Sequence, residues 1–214
     1  MKKLLFTLTL VLSGVFAMAQ TPFEKTMTEK IAKIDQTKTP DEFVALSNDF
    51  VRIGDKEKTQ WLPYYYASLT QIMKGRSLMM SGKLDALDAI AAEAQKFLDK
   101  SSELNPENAE NYILQKMIHG LKMMVDPMSR FMTEGASAQT ALAKAEQLDP
   151  QNPRISILKA EDLYYTPAQF GGSKEKGLEL FQKALDQFNT YKTKSNIDPN
   201  WGKSEAEYFL SAKP

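Results

Sequence analysis

One short phrase recurs along the chain, and its recurrence constrains the fold more than any other feature. Leu-Asn-Pro-Glu-Asn at residues 104–108 returns 44 residues later as Leu-Asp-Pro-Gln-Asn at residues 148–152, and more loosely as Ile-Asp-Pro-Asn at residues 197–200. Proline cannot continue a helix and moves the preceding residue out of helical geometry, so each phrase predicts a hinge between two helices. A near-constant period of this kind is typical of stacked repeats that bury their apolar faces against their neighbours.

Residues 1–19 have the pattern of a secretory signal. Lys2 and Lys3 precede an almost wholly apolar run over residues 4–16, and small residues at positions 17 and 19 precede the expected cleavage point. The run is shorter than the roughly 20 apolar residues of a stable membrane anchor. No cysteine stands at the cleavage point to carry a lipid. We therefore expect an exported protein, periplasmic or secreted, and the signal resembles those of Bacteroidota.

Charge and cysteine content exclude several classes of function. Without residues 1–19 the chain has 25 basic and 27 acidic side chains, a net charge of −2. No basic run stands out, which disfavours nucleic acid and anionic membranes as partners. The chain has no cysteine, so we expect neither a disulfide framework nor a thiol nucleophile.

Helical spacing recurs throughout, and strand patterns are nearly absent. Apolar residues three and four positions apart predict eight helices and a short final helix near residues 201–212. Thr39 and Pro40 predict the start of the second helix, and Gly54 with Asp55 its end. We predict an all-α, right-handed solenoid of antiparallel helix pairs, with an N-terminal pair over residues 20–55. Core repeats over residues 56–195 and a capping helix over residues 196–214 complete the single domain.

The second helices of the repeats carry a small–large–small spacing followed by proline. Ala138, Leu142 and Ala145 precede Pro150, and the same spacing occurs at residues 94–106. This pattern resembles the second helix of a tetratricopeptide repeat over residues 60–190. The first helices match less well, and the period is 44 rather than about 34 residues. The resemblance implies an expanded repeat stack, but little about function, because packing defines this family.

In such a stack the first helices line the concave face, which suggests a binding site. Neighbouring residues on a helix point about 100° apart, so at least one of three adjacent tyrosines at residues 64–66 is expected to be exposed or to face the groove. Tyrosine and arginine are favoured at binding hot spots. We predict ligand or partner contacts from a set on or near this face: Tyr64, Tyr65, Arg154, Glu161, Tyr164 and Phe170. The alternative is that these tyrosines pack between repeats.

A loop at residues 166–173 is longer than a tetratricopeptide turn. Its Phe170-Gly171-Gly172 sequence, followed by a Ser173 cap, is similar to helical periplasmic proteins related to the T-component of tripartite substrate transporters. That resemblance implies a small solute. Alternatively, the glycines allow positive φ while Phe170 fills an apolar gap.

No catalytic motif is evident, and the single histidine, His119, favours a packing or surface role over catalysis. Five methionines surround it in sequence, between residues 117 and 132, and thioethers bind copper(I). Pro127 interrupts their helix, however, so core packing or an apolar groove is favoured over a metal site.

We therefore predict a non-catalytic binding scaffold of the bacterial envelope, without cofactor or metal. Its concave face is expected to bind a protein or peptide partner. A solute-binding accessory protein for a small amphipathic ligand is the first alternative, and an enzyme is the second. Nucleic acid and stable membrane insertion are not expected.

Overall fold

The computed structural model describes residues 20–211, so the predicted signal peptide lies outside the described residues. The secondary structure of the described part is helical, without a strand, which confirms the all-α prediction. Nine helices of nine or more residues and one single-turn helix are present in it: α1 (Pro22–Ile31), α2 (Pro40–Glu57), α3 (Trp61–Met80), α4 (Leu87–Leu104), α5 (Ala109–Val125), α6 (Pro127–Arg130), α7 (Ala136–Leu148), α8 (Pro153–Tyr165), α9 (Lys174–Thr190) and α10 (Lys203–Ser211).

Local capping explains where the helices begin. The side chain of Thr39 accepts a hydrogen bond from the backbone N–H of Glu42, and the Glu42 carboxylate accepts one from the backbone N–H of Thr39. Pro40 stands at the first helical position. In the two full copies of the repeated phrase, the final Asn108 and Asn152 side chains accept from the second backbone N–H of the next helix. These contacts satisfy N–H groups that have no partner inside the helix, so both predicted hinges are confirmed.

The end of α2 was predicted wrongly. The helix continues past Gly54 and Asp55 to Glu57, and the chain turns at Lys58, which has a φ of 58°. Gly54 is inside the helix because the Tyr64 ring lies against it, where a Cβ atom would be 2.8 Å from Tyr64 Cζ. This glycine allows a close approach of α2 and α3 rather than ending a helix.

Consecutive helices pack on one another: α2 on α3, α3 on α4, α4 on α5, α5 on α7, and α8 on α9. The larger apolar core contains residues from the helices α1 through α5, from α7 and from one side of α8. A second core lies between the other side of α8, α9 and α10, and contains Ile157, Phe181 and Phe209. Helix α8 therefore separates two cores, and its polar side chains lie at the boundary between them.

The third copy of the phrase does not join two stacked repeats. It lies in the segment of residues 191–202, which runs from α9 to α10 across α3 and α8. Tyr66 donates a hydrogen bond to the carbonyl oxygen of Ile197 (2.9 Å), and the indole N–H of Trp201 donates to the Tyr65 hydroxyl (2.7 Å). Ile197 is buried in the larger core. We call residues 191–202 the covering segment, because it occupies the face that was predicted to be an open groove.

None of the helices in the described part is both long and apolar enough to cross a membrane.

Candidate functional site

The three adjacent tyrosines are all buried, so the expectation that at least one is accessible was wrong. The exposed fractions of Tyr64, Tyr65 and Tyr66 are 6%, 0% and 1%. Helix α3 is enclosed by α2, α4, α5 and the covering segment, which leaves no free side for these residues. Each hydroxyl has a partner, since Tyr64 donates to Asp55 (2.8 Å) and Tyr65 to Glu110 (2.9 Å).

Arg154, a second predicted contact, is also internal. It is 1% exposed and donates two hydrogen bonds to Oε1 of Glu110 on α5, from Nη2 at 2.5 Å and from Nε at 2.9 Å. The Asn152 amide donates to the same carboxylate (2.6 Å). The rings of Tyr191 and Trp201 face the guanidinium at 5.5 and 6.0 Å. Arg154 therefore joins α8 to α5 under the covering segment and is not available to a ligand.

Glu161 and Tyr164 lie further along α8, where α10 packs. Glu161 binds Arg76 of α3, which also donates to Glu205 of α10 (2.7 Å). Tyr164 is half-buried, with its ring centroid 5.0 Å from that of Phe209. Their structural roles are to hold α10 in place.

Phe170 is 71% exposed, so the alternative that it fills an apolar gap is wrong, and its side chain is accessible for the ligand contact that the sequence predicts. Gly171 has the positive φ (91°) that the sequence led us to expect. A Cβ on Gly172 would lie 1.7 Å from the carbonyl oxygen of Thr166. The loop thus turns back tightly on the end of α8 and leaves the phenyl ring of Phe170 in solvent.

His119 is partly buried and contacts two polar side chains. Its Nδ1 lies 2.6 Å from a Glu134 carboxylate oxygen, and its Nε2 lies 3.1 Å from the amide nitrogen of Gln115. Met117 is buried in the core, whereas Met128 and Met132 are exposed beyond the break at Pro127. Residues 20–211 contain no group of three His, Cys, Asp or Glu side chains placed to hold a metal ion.

Large exposed apolar side chains gather instead at one end of the helix stack. Two contacts fix the relative positions of α3, α5 and α8 along their axes. Gly75 of α3 packs against Leu121 of α5, and Arg76 of α3 binds Glu161 of α8. The carboxyl ends of α3, α5 and α8, one turn beyond these contacts, therefore lie at the same end. We call the exposed apolar side chains on and beyond these ends the apolar rim: Met80, Met128, Phe131, Met132, Tyr165, Phe170 and Tyr208.

The segment after α5 is held firmly although its apolar side chains face solvent. Arg130 makes two hydrogen bonds to the Asp88 carboxylate (2.6 and 2.9 Å) and one to the carbonyl oxygen of Lys122 (2.9 Å). A π-helical turn follows at Phe131–Gly135. Met128 is 92% exposed on this anchored segment. An apolar patch maintained in water by specific polar contacts is typical of a binding surface.

Helix α10 extends the apolar rim on the side of the second core. The ring centroid of Phe209 lies 5.9 Å from that of Tyr165 and 5.7 Å from that of Tyr208, so both rim tyrosines lie beside it. Phe209 also stacks on Phe181 (4.3 Å) and so anchors this part of the rim to the second core.

Two open clefts lie away from the apolar rim's methionines. One of about 640 Å³ lies between α9 and α10, lined by Leu178, Gln182 and Leu210. The other, of about 310 Å³, lies between α1 and α2 and is lined by charged residues such as Lys30 and Asp49.

Comparison with known proteins identifies the family. No protein family model and no curated protein match the chain. The structure of the HusA haemophore from Porphyromonas gingivalis aligns with 89% of this chain and 92% of that one, with 32% sequence identity and a TM-score of 0.77. The chain belongs to the family of this haemophore. The match spans nearly the whole of both chains, so it includes more than a single repeat, and it supports a binding function.

Sequence reasoning missed the apolar rim because its members come from separate elements. Met80, Phe131 and Tyr208 carry no motif, and each stands next to another apolar residue, as a core position also does. Two local signals pointed to it: Phe170 was predicted as a ligand contact, and an apolar groove was among the expectations for Met128 and Met132 beside Pro127.

Proposed function

We propose that the protein is an exported, non-catalytic haem carrier that binds haem or a related porphyrin on the apolar rim. The observation that carries this proposal is the cluster of seven large, exposed apolar side chains at one end of a fold that belongs to a haemophore's family. Of the alternatives drawn from the sequence, the proposal favours a binding protein for a small amphipathic solute.

The chemistry of the apolar rim suits a flat tetrapyrrole. Aromatic side chains such as Phe131 and Tyr165 stack on extended π-systems. The flexible, polarisable thioethers of Met128 and Met132 adapt to irregular apolar surfaces. Burial of a porphyrin face against such groups releases water from both surfaces, which is favourable at roughly 25 cal/mol per Å² of apolar area.

Cations near the apolar rim match the two carboxylates of haem. Lys174 lies at the start of α9, with its ammonium 5.5 Å from the centroid of the Tyr164 ring, close to the loop that carries Phe170. On the methionine side Arg130 is already paired with Asp88, and the charge of Lys122 lies near the same carboxylate. We expect the macrocycle to lie on apolar side chains with its carboxylates toward Lys174 and Lys122.

A protein or peptide partner on the concave face is less well supported. The covering segment occupies that face, and Tyr65 and Arg154 lie beneath it. A peptide could reach them only after displacing Ile197 and Trp201 from contacts with buried tyrosines. A haem carrier on the rim requires no such rearrangement.

The test is a titration of residues 20–214 with ferric haem, followed by Soret absorbance and by quenching of Trp61 and Trp201 fluorescence. We expect saturable binding. Replacing three apolar rim residues together (Met128→Ser, Phe131→Ser, Met132→Ser) should weaken it about tenfold or more, since each lost apolar contact contributes on the order of 1 kcal/mol.

The matched control is Leu104→Ser, which removes an exposed apolar side chain at the far end of α4. It should bind haem as the unmodified chain does. Absence of saturable binding, or equal affinity in the triple variant, would contradict the proposal.

A further inference from the structure

Three ionisable side chains from three helices meet where α10 joins the rest of the molecule. Nη2 of Arg76 on α3 contacts the carboxylate of Glu161 on α8 and lies 2.7 Å from Oε1 of Glu205 on α10. The two carboxyl groups therefore share one nitrogen of Arg76 and lie close to each other. All three side chains are at most a quarter exposed. A single arginine thus faces two carboxyl groups, and two negative charges at one site favour a proton on one of them.

The surroundings place that proton on Glu205. Burial, together with the neighbouring Glu161, raises the pKa of Glu205 to about 7 despite Arg76. Burial also opposes ionisation of Glu161, but Arg76 and Lys116 outweigh it and hold the pKa of Glu161 below its usual value. Lys116 comes from α5 and is itself bound to Asp162 of α8 (2.7 Å). Tyr165 is the other titratable group facing the cluster, and its pKa is raised by burial and by Glu161.

The same helix supports part of the apolar rim. Ala206 and Phe209 of α10 close the second core, and Phe209 contacts the ring of Tyr165. Tyr208 is itself a rim residue. A change in how α10 docks on α3 and α8 therefore changes the position of Tyr208 and the support under Tyr165.

We propose that α10 is a proton-dependent latch at one end of the apolar rim. One proton shared by Glu161 and Glu205 holds the helix against α3 and α8, and its loss leaves two carboxylates against one arginine and loosens the helix. The latch stands on this cluster alone, whereas its consequence for haem rests on the proposed function. Haem affinity then depends on pH through α10.

The direction of the effect follows from linkage. Docking raises the pKa of Glu205 from its ordinary value of 4.5 to about 7, so the docked state binds the proton more tightly than the released state. The proton's contribution to docking is fully present below pH 4.5 and is lost as the pH rises through about 7. Acidification within this range tightens α10.

Amide hydrogen exchange of the haem-free protein tests the latch. After correction for intrinsic rates, residues 203–211 should exchange about tenfold faster near pH 8 than near pH 5. Glu205→Gln, which keeps the shape of the protonated carboxyl group, should exchange slowly at both pH values. The control Glu207→Gln, at an exposed position of the same helix, should follow the unmodified chain. Equal exchange of α10 at the two pH values, or a pH response retained in Glu205→Gln, would overturn the latch.

Haem titration at the same two pH values tests the link to binding. In the unmodified chain the haem affinity should differ between the two pH values. In Glu205→Gln the ratio of the two affinities should be at least threefold smaller, and in Glu207→Gln it should be unchanged. If the ratio of haem affinities at the two pH values is the same in Glu205→Gln as in the unmodified chain, haem binding stands but its coupling to the latch is rejected. No binding at either pH rejects the proposed function, and the exchange experiment still decides the latch.

Discussion

Arg154 and Glu110 form a buried ion pair, 44 positions apart in the chain, in which Nε and Nη2 of the arginine both donate to Oε1 of the carboxylate (2.9 and 2.5 Å). Asn152 donates to the same Oε1, and Tyr65 donates to Oε2 of this carboxylate. This pair connects α8 to α5 at the boundary of the two cores. It also explains why a residue expected to bind a partner has an internal structural role.

Removal of one member of this pair should destabilise the protein severely. Arg154→Ala leaves the Glu110 carboxylate buried without its cation, for which we expect a loss of about 3–5 kcal/mol in the free energy of unfolding. Urea denaturation followed by circular dichroism measures it. The control is Lys159→Ala, which breaks a half-exposed pair with Glu146 and should cost under about 1 kcal/mol. Similar losses in the two variants would contradict the assignment.

The covering segment should contribute to the stability of the whole fold. Ile197→Ala removes a side chain that is buried in the larger core and should cost about 2–4 kcal/mol. Asn196→Ala, at the adjacent exposed position, should be close to neutral. Denaturation monitored by Trp201 fluorescence and by circular dichroism should give one transition in both. An early, separate Trp201 transition in the unmodified chain would show that the segment is not part of the cooperative unit.

Two helical glycines should respond in opposite directions to alanine. A Cβ on Gly177 would lie 3.0 Å from the carbonyl oxygen of Ala160, because α8 and α9 approach closely there, so Gly177→Ala should cost about 1–3 kcal/mol. Gly120 in α5 has no atom within 4 Å of such a Cβ. Gly120→Ala should therefore gain up to about 1 kcal/mol from helix propensity. Thermal unfolding measures both, and a gain in Gly177→Ala would show that the two helices separate easily.

Alkaline pH should unfold the protein through its buried tyrosines. Burial, and for Tyr65 and Tyr66 also the charge of Glu110, raises the pKa of their phenols far above the ordinary value of 10.0. Burial and a hydrogen bond to Asp55 raise the pKa of Tyr64 to about 12. Because the folded state holds these protons more tightly, the stability they contribute is full below pH 10 and lost as the pH rises.

The expected loss at about pH 11 is on the order of 1 kcal/mol for each of Tyr65 and Tyr66. Denaturant unfolding at a series of pH values, with phenolate absorbance recorded in parallel, measures it. Phenolate absorbance of these residues should appear together with unfolding. A stability that stays constant to this pH would contradict the burial of the two rings.

The amino-acid sequence by itself determined the helices and most of their ends. The prolines of the repeated phrase, Thr39 with Glu42, and Asn152 act through contacts within about four residues, and such contacts are visible in a sequence pattern. The same patterns support the tetratricopeptide resemblance, which stays a prediction. Gly54 shows the limit of local reasoning, because the Tyr64 ring that requires it comes from the next helix.

Only the tertiary structure decided which side chains are accessible. Tyr66 is buried by a segment 131 positions away, and Arg76 binds Glu205 from 129 positions away. The apolar rim is assembled from four separate parts of the chain, where α3, α5, α8 and α10 meet. Burial and charge pairing depend on which distant segments pack together, and helical spacing holds no information about those partners. The sequence could therefore predict a binding protein made of helices, but five of the six contacts it predicted are buried or half-buried, and Phe170 is the exposed one.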